Sequence, residues 1–364
     1  MAIDANAGFD AMVDAWITAK TAGALNDGQG FWHAGNTLDT YVTYLVQTTR
    51  KDDKDIVVQS YKDIFNIDPG TPQAPRWWRD DYGWWGLAFL AAANSFAAPI
   101  LGLSPETVGN CLSGANLCWN IMNYDWIANK GNGVRNDPRA NSGVANTITN
   151  VLFMMLGLRR YQTTGDVAAL KTAGDVFDWF YPNRNNLFNK DNLIRETPVR
   201  ANPDYPQDRA WTGDQGWFWR ACTLLGNLDG ARKQRIQEVL GLLEPAIYAH
   251  VFNNGIVREL PYRQNYDVDY ATGIGVFMRQ FSIVAGHSPP GIGLIRQSAQ
   301  GAWDNSQWRK AMDKDWYTGG CWYAGGNVYE PQRKMATWPV LVWDLTVKTA
   351  AQDAFNADAA AGPE

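Results

Sequence analysis

No run of lysine and arginine occurs anywhere in these 364 residues; 32 basic side chains are scattered among 37 acidic ones, for a net charge of −5. Nucleic-acid binding relies on a basic stripe that neutralises phosphates, so that class has no support. Long apolar stretches are missing too. None approaches the roughly 18 residues that cross a bilayer, and no membrane span is expected. The opening MAIDANAGFDAMVDAWITAK has neither the basic start nor the continuous apolar segment of a signal peptide. It reads as the start of an amphipathic helix over Phe9–Ala19.

Cysteine and histidine are scarce. Cys111, Cys118, Cys222 and Cys321 form no CxxC pair, and His33, His250 and His287 are widely separated. A metal site needs ligands clustered at short spacing, so none is expected. Cys111 and Cys118 are seven apart, two turns along one helical face and too distant for a disulfide, so buried free thiols are expected. No Ser–His or Cys–His arrangement marks a nucleophile. The Gly-rich GIGLIRQ and GGCWYAGGN lack the lysine of a phosphate loop. Strand signals are equally few.

What is abundant is tryptophan, with 18 residues. Indole offers a flat apolar face and one N–H donor, suited to cores and to the C–H faces of sugar rings. Most of the 18 are expected in the core. Helical periodicity dominates the rest. It predicts helices over Asn36–Gln47, Gly86–Ser95, Val144–Thr163, Gln234–Phe252, Tyr270–Ala285 and Met335–Ala350, with Asp166 capping another.

A weak repeat joins NDGQGFWHAGNTL (26–38), RDDYGWWGLAFLA (79–91) and TGDQGWFWRACTLL (212–225). Each runs from polar or acidic residues through glycine and aromatics into an apolar helix. Six helical hairpins of roughly 60 residues would fill the chain. The expectation is an all-α, single-domain (α/α)6 barrel over residues 1–364, a closed toroid, with an open solenoid as the alternative.

The densest chemistry lies in RWWRDDYGWWGLAFL (76–90). Asp80 and Asp81 are placed on a loop before a helix. One aspartate suffices as a cap. Two among tryptophans should titrate apart, leaving one protonated acid and one carboxylate, the pairing that glycoside hydrolysis uses. Carboxyls about 5–5.5 Å apart, within reach of a loop, suit retention of configuration. On the residues alone, capping and catalysis both stand. Asp214 and Gln215 hold the equivalent place in a later repeat, as do Asp27 and Gln29 in the first; all four are read as caps or as partners of sugar hydroxyls. Trp32, Trp84, Trp85 and Trp217 are stacking candidates, with more than half expected in the core.

The same segment resembles the Asp-Asp motif of glycoside hydrolase family 76, the endo-α-1,6-mannanases. Stretches 142–166, 173–196 and 211–226 are similar to that family in the same order. The resemblance implies an (α/α)6 barrel that cleaves α-1,6-linked mannan with retention, with Asp80 as nucleophile and Asp81 as general acid/base. It implies no metal or cofactor, an α-mannan partner, and a secreted, periplasmic or cell-surface location; a monomer is expected. Where the family usually has Tyr-Asn-Gln-Gly this chain has Gly213-Asp-Gln-Gly216, adding an acid. The alternatives are a non-catalytic glycan-binding toroid, or another (α/α)6 enzyme such as a sugar epimerase or unsaturated-uronide hydrolase.

Overall fold

Local side chains account for most helix ends. Asn146 accepts the backbone N–H of Thr149 at 3.0 Å and starts one helix. Gly165, at φ 74°, ends it by donating to the Tyr161 carbonyl. Asp166 then accepts from Ala169 at 3.1 Å, so a second helix follows after the briefest turn, as its sequence predicted. Ser104 caps the helix that opens with Pro105, accepting from Thr107 at 3.1 Å.

The computed structural model describes residues 30–48, 70–137, 144–198, 209–258, 260, 273–286 and 288–313. The longer helices in chain order are α1 (Gly30–Thr48), α2 (Arg79–Ala93), α3 (Ala97–Leu101), α4 (Pro105–Ala128), α5 (Thr147–Thr164) and α6 (Val167–Phe180). They continue with α7 (Arg184–Leu187), α8 (Thr212–Leu228), α9 (Lys233–His250), α10 (Gly273–Ala285) and α11 (Pro289–Asp313). The class is all-α. The helices expected over Phe9–Ala19 and Met335–Ala350, together with Asp27, Gln29 and Cys321, lie outside the described residues.

Two elements go beyond the sequence reading. The Gly-rich GIGLIRQ is helical, part of α11, whose Pro289 occupies the first helical position while Ser288 accepts from Gly291 at 3.2 Å. A two-stranded hairpin, β1 (Phe252–Asn253) with β2 (Ile256–Val257), turns on Asn254 and Gly255 at φ 51° and 79°. That is the Asn-Gly pair of a tight hairpin turn.

The chain divides into two compact units. One comprises Ala34–Arg184, Leu224–Ile236 and Thr349–Glu364. Its core is built on α2, which is buried on almost every side between α4 and α5. Close approach is possible because a Cβ on Gly83 would stand 2.8 Å from Leu152, and one on Gly86 2.8 Å from Leu156 and 3.0 Å from Cys118. Trp119 stacks on Phe153 at 4.8 Å between ring centroids. Asp39 of α1 and Arg159 of α5 form a buried ion pair at 3.1 Å.

The other unit comprises Met1–His33, Asn185–Thr223 and Gln237–Lys348. Its core is aromatic: Phe281 lies 5.1 Å from Phe252, 5.2 Å from Phe277 and 5.9 Å from Trp219. The Ser298 hydroxyl accepts the Val257 N–H at 3.0 Å and ties the hairpin to α11. Cys111, Cys118 and Cys222 are buried free thiols, as expected for the first two; burial pushes the Cys111 and Cys118 thiols up to about 12. Among the described residues no helix is long and apolar enough to cross a membrane.

Candidate active site

Helix α2 begins earlier than its periodicity predicted, at Arg79 rather than Gly86. Trp78 is extended at φ −67° and ψ 153°, and its N–H donates to Oδ2 of Asp81 at 3.0 Å. The Asp81 N–H in turn donates to the Trp78 carbonyl at 3.1 Å. This reciprocal contact starts the helix, so Asp80 and Asp81 lie in its first turn and not on a preceding loop. Consecutive helical residues point about 100° apart. Asp81 is therefore turned inward, at 4% exposure, while Asp80 stays partly open. Two carboxyls at a helix N-terminus also oppose its partial positive charge.

The residues flanking the pair are held in place. The Tyr82 hydroxyl accepts the N–H groups of Arg76 and Trp77 at 2.9 and 3.2 Å, fixing the approach to the helix. Burial raises that hydroxyl to about 12, so it remains protonated. The Arg79 backbone N–H donates to the Asn136 carbonyl at 2.8 Å. Its guanidinium, 3% exposed for the residue, reaches the carbonyls of Arg135 and Asp137 and stands 3.4 Å from Asp125. Burial pulls the Arg79 guanidinium down, against the attraction of Asp125. Asp125 is itself 1% exposed and also pairs with Arg135, holding that guanidinium above its ordinary value through their hydrogen bond. The backbone of Val134, in the same loop, is gripped on both sides by the Asn150 amide at 2.7 and 3.0 Å.

An acid pair set in the first turn of a helix and braced by buried charge can serve proton transfer and nucleophilic attack without moving its backbone. The family model for glycosyl hydrolase family 76 matches residues 4–350, nearly the whole chain. It belongs to that family. It is a glycoside hydrolase, and a glycan is its substrate class.

No curated protein matches the sequence. Solved structures do. Dfg5 from Chaetomium thermophilum, in complex with glucosamine, is 19% identical with a TM-score of 0.68, covering 87% of this chain and 80% of that one. The GH76A α-1,6-mannanase from Salegentibacter sp. HEL1_6 is 12% identical with a TM-score of 0.64, covering 86% and 90%. An inactive variant of that mannanase, with two consecutive aspartates changed to asparagine and α-1,6-mannotriose bound, is 13% identical at 0.64, covering 86% and 88%. At these identities the likeness establishes the helical fold.

Other residues expected in this family 76 site are distributed differently. Trp84 and Trp85, each 3% exposed, are packed within the unit that holds α2, and Trp85 lies 5.9 Å from Phe89. Their faces serve the core, because α2 is buried on almost every side. In the other unit, Trp217 is fully buried with the Arg279 guanidinium 5.7 Å from its ring. Gln215 is also fully buried; its amide exchanges bonds with the Ile194 backbone at 2.8 and 2.9 Å and donates to the Trp211 carbonyl at 2.9 Å. That is a structural clamp on the segment before α8. Trp32 keeps partial exposure and meets Trp211 edge-on at 6.4 Å.

Asp214 stands apart. It is fully buried, and neither carboxyl oxygen has a hydrogen-bond partner. Burial first, then the nearby charge of Glu196, raises its pKa well above the ordinary carboxylate value, with Arg209 opposing. Sequence reading missed Arg79, Asp125 and Trp78. Trp78 and Arg79 both lie within RWWRDDYGWWGLAFL, but the Arg79–Asp125 pair joins two helices 46 positions apart and has no local signature.

Proposed function

We propose that this enzyme hydrolyses α-1,6-linked mannan, or a closely related α-mannoside, with retention of configuration by double displacement through Asp80 and Asp81. The observation that carries the reading is the placement of both acids in the first turn of α2, one open and one buried and oriented by a backbone N–H. The inactive mannanase variant with its two consecutive aspartates replaced supports the pair, and the bound α-1,6-mannotriose supports the linkage.

Asp80, the more open acid, attacks the anomeric carbon. Asp81 gives its proton to the glycosidic oxygen as that bond breaks, and a glycosyl ester on Asp80 results. With Oδ2 oriented by the Trp78 N–H, Oδ1 carries the transferred proton. Asp81, now a carboxylate, removes a proton from water, which attacks the anomeric carbon and releases Asp80. Trp32, which keeps partial exposure, is retained as a candidate contact to a glycan. The enzyme acts outside the cytoplasm, where such polymers are met, and as a monomer.

The test is digestion of α-1,6-mannan, of other α-mannans and of α-glucans, with product sizing and NMR of the first anomer released. Release of the α anomer from α-1,6-mannan supports the proposal. Release of the β anomer overturns retention, cleavage of other glycans alone overturns the substrate, and products longer than the substrate point to transfer.

A further inference from the structure

We propose that the indole of Trp78 is a stacking platform for a pyranose unit of the glycan, beside the acid pair; this rests on Asp80–Asp81 being the reacting centre. Trp78 is 48% exposed. By contrast Trp77, Trp84, Trp85, Trp119, Trp126, Trp211, Trp217 and Trp219 are buried at 9% or less, and Trp32 and Trp179 are half-buried. Trp77, Trp84 and Trp85 lie within seven residues of it, and Trp119 and Trp126 are on α4, which packs against α2. Other exposed large apolar side chains, Tyr124, Ile127, Val167 and Leu242, are on different helices from the acids.

The exposed ring does not sit on a loose segment. Its N–H is held by Asp81 at 3.0 Å, its carbonyl receives the Asp81 N–H at 3.1 Å, and the next backbone N–H is bound to Asn136 at 2.8 Å. The same carboxyl that would transfer the proton therefore fixes the backbone from which the indole projects. A rigid aromatic loses little freedom when a ligand covers it. A pyranose fits the requirement: its axial C–H bonds form an apolar face for the indole, and its hydroxyls at the rim remain free for Asp80 and water. The stacked unit is assigned to the neighbourhood of the bond that is cut because the Trp78 backbone is bonded directly to Asp81.

The test uses full-length Asp80→Asn protein, so that binding is read without turnover. Titration with α-1,6-mannotriose and α-1,6-mannotetraose gives Kd with Trp78 present, and with Trp78→Ala or Trp78→Phe added. The alanine is expected to weaken binding about tenfold and the phenylalanine to recover most of it. Ligand should also shield tryptophan fluorescence from acrylamide in the protein with Trp78 and lose that extra shielding in Trp78→Ala. In the active enzyme the loss from Trp78→Ala should fall in KM more than in kcat. Equal affinity with and without the indole, or no binding by either protein, overturns the platform. Undiminished turnover by Asp80→Asn overturns the catalytic assignment instead, while leaving the affinity comparison readable.

Discussion

The carboxyl of Asp81 reaches back three residues to accept the Trp78 backbone N–H at 3.0 Å. The contact makes a proposed catalytic group part of the frame that starts its own helix. It also separates two neighbours in sequence by environment. Asp80 lies outside that contact and keeps partial exposure, and its substitution should cost activity more than stability.

Replacing each acid should therefore give different pairs of losses. Asp80→Ala and Asp81→Ala should both lower kcat by roughly two to four orders of magnitude. Asp81→Ala should in addition lose about 1 kcal/mol of stability with its N-terminal contact, which urea unfolding would show. Added azide should restore turnover in both, giving the inverted glycosyl azide from Asp80→Ala and the retained one from Asp81→Ala. Swapped configurations would reverse the roles.

Asp125 holds two cationic partners, Arg79 and Arg135, at 1% exposure. Asp125→Ala should leave buried positive charge and cost about 3–5 kcal/mol. The midpoint of thermal or urea unfolding measures it. A loss below about 1 kcal/mol would show the pair to be worth no more than a surface contact.

Gly83→Ala puts a methyl 2.8 Å from the Leu152 Cβ, where the side chain has no distant end to move. Overpacking of this kind costs about 1–3 kcal/mol. Gly109→Ala on α4, whose added Cβ meets nothing within 4 Å, serves as the control and should hold or gain stability. Equal midpoints for the two variants would contradict the close approach of α2 and α5.

Asp214 offers a pH test. Its folded-state pKa is raised, so the folded protein binds more protons than the unfolded chain once pH exceeds the ordinary carboxyl value, about 3.9. Its contribution to stability is full below that value and is lost as pH rises toward the raised folded one. Asp214→Asn, neutral at every pH, should flatten the fall in stability above about pH 4 and raise stability at neutral pH. Urea unfolding from pH 4 to 8 checks it; an unchanged slope would mean Asp214 is ionised in the fold.

Much of the helical pattern was legible. Caps such as Asn146, Ser104 and Asp166 act on backbone groups three residues away, so their meaning is local. The repeats at 79–91 and 212–225 do begin helices. The motif's boundary was less legible: α2 starts seven residues before its apolar run, because the Asp81 side chain substitutes for a conventional cap. Gln215 shows the same limit. Its amide bonds to Ile194, 21 positions away, and nothing in GDQGW distinguishes a clamp from a sugar contact.

By itself, the sequence determined the helical class, the family likeness and the adjacency of two carboxyls among tryptophans, since periodicity, short-range capping and a contiguous motif need no distant partner. Only the tertiary structure decided which tryptophan faces outward, which acid is buried, and which charges brace them. Those outcomes depend on side chains from helices far apart in the chain competing for the same interior volume. Trp84 and Trp85 won places there, and Trp78 did not.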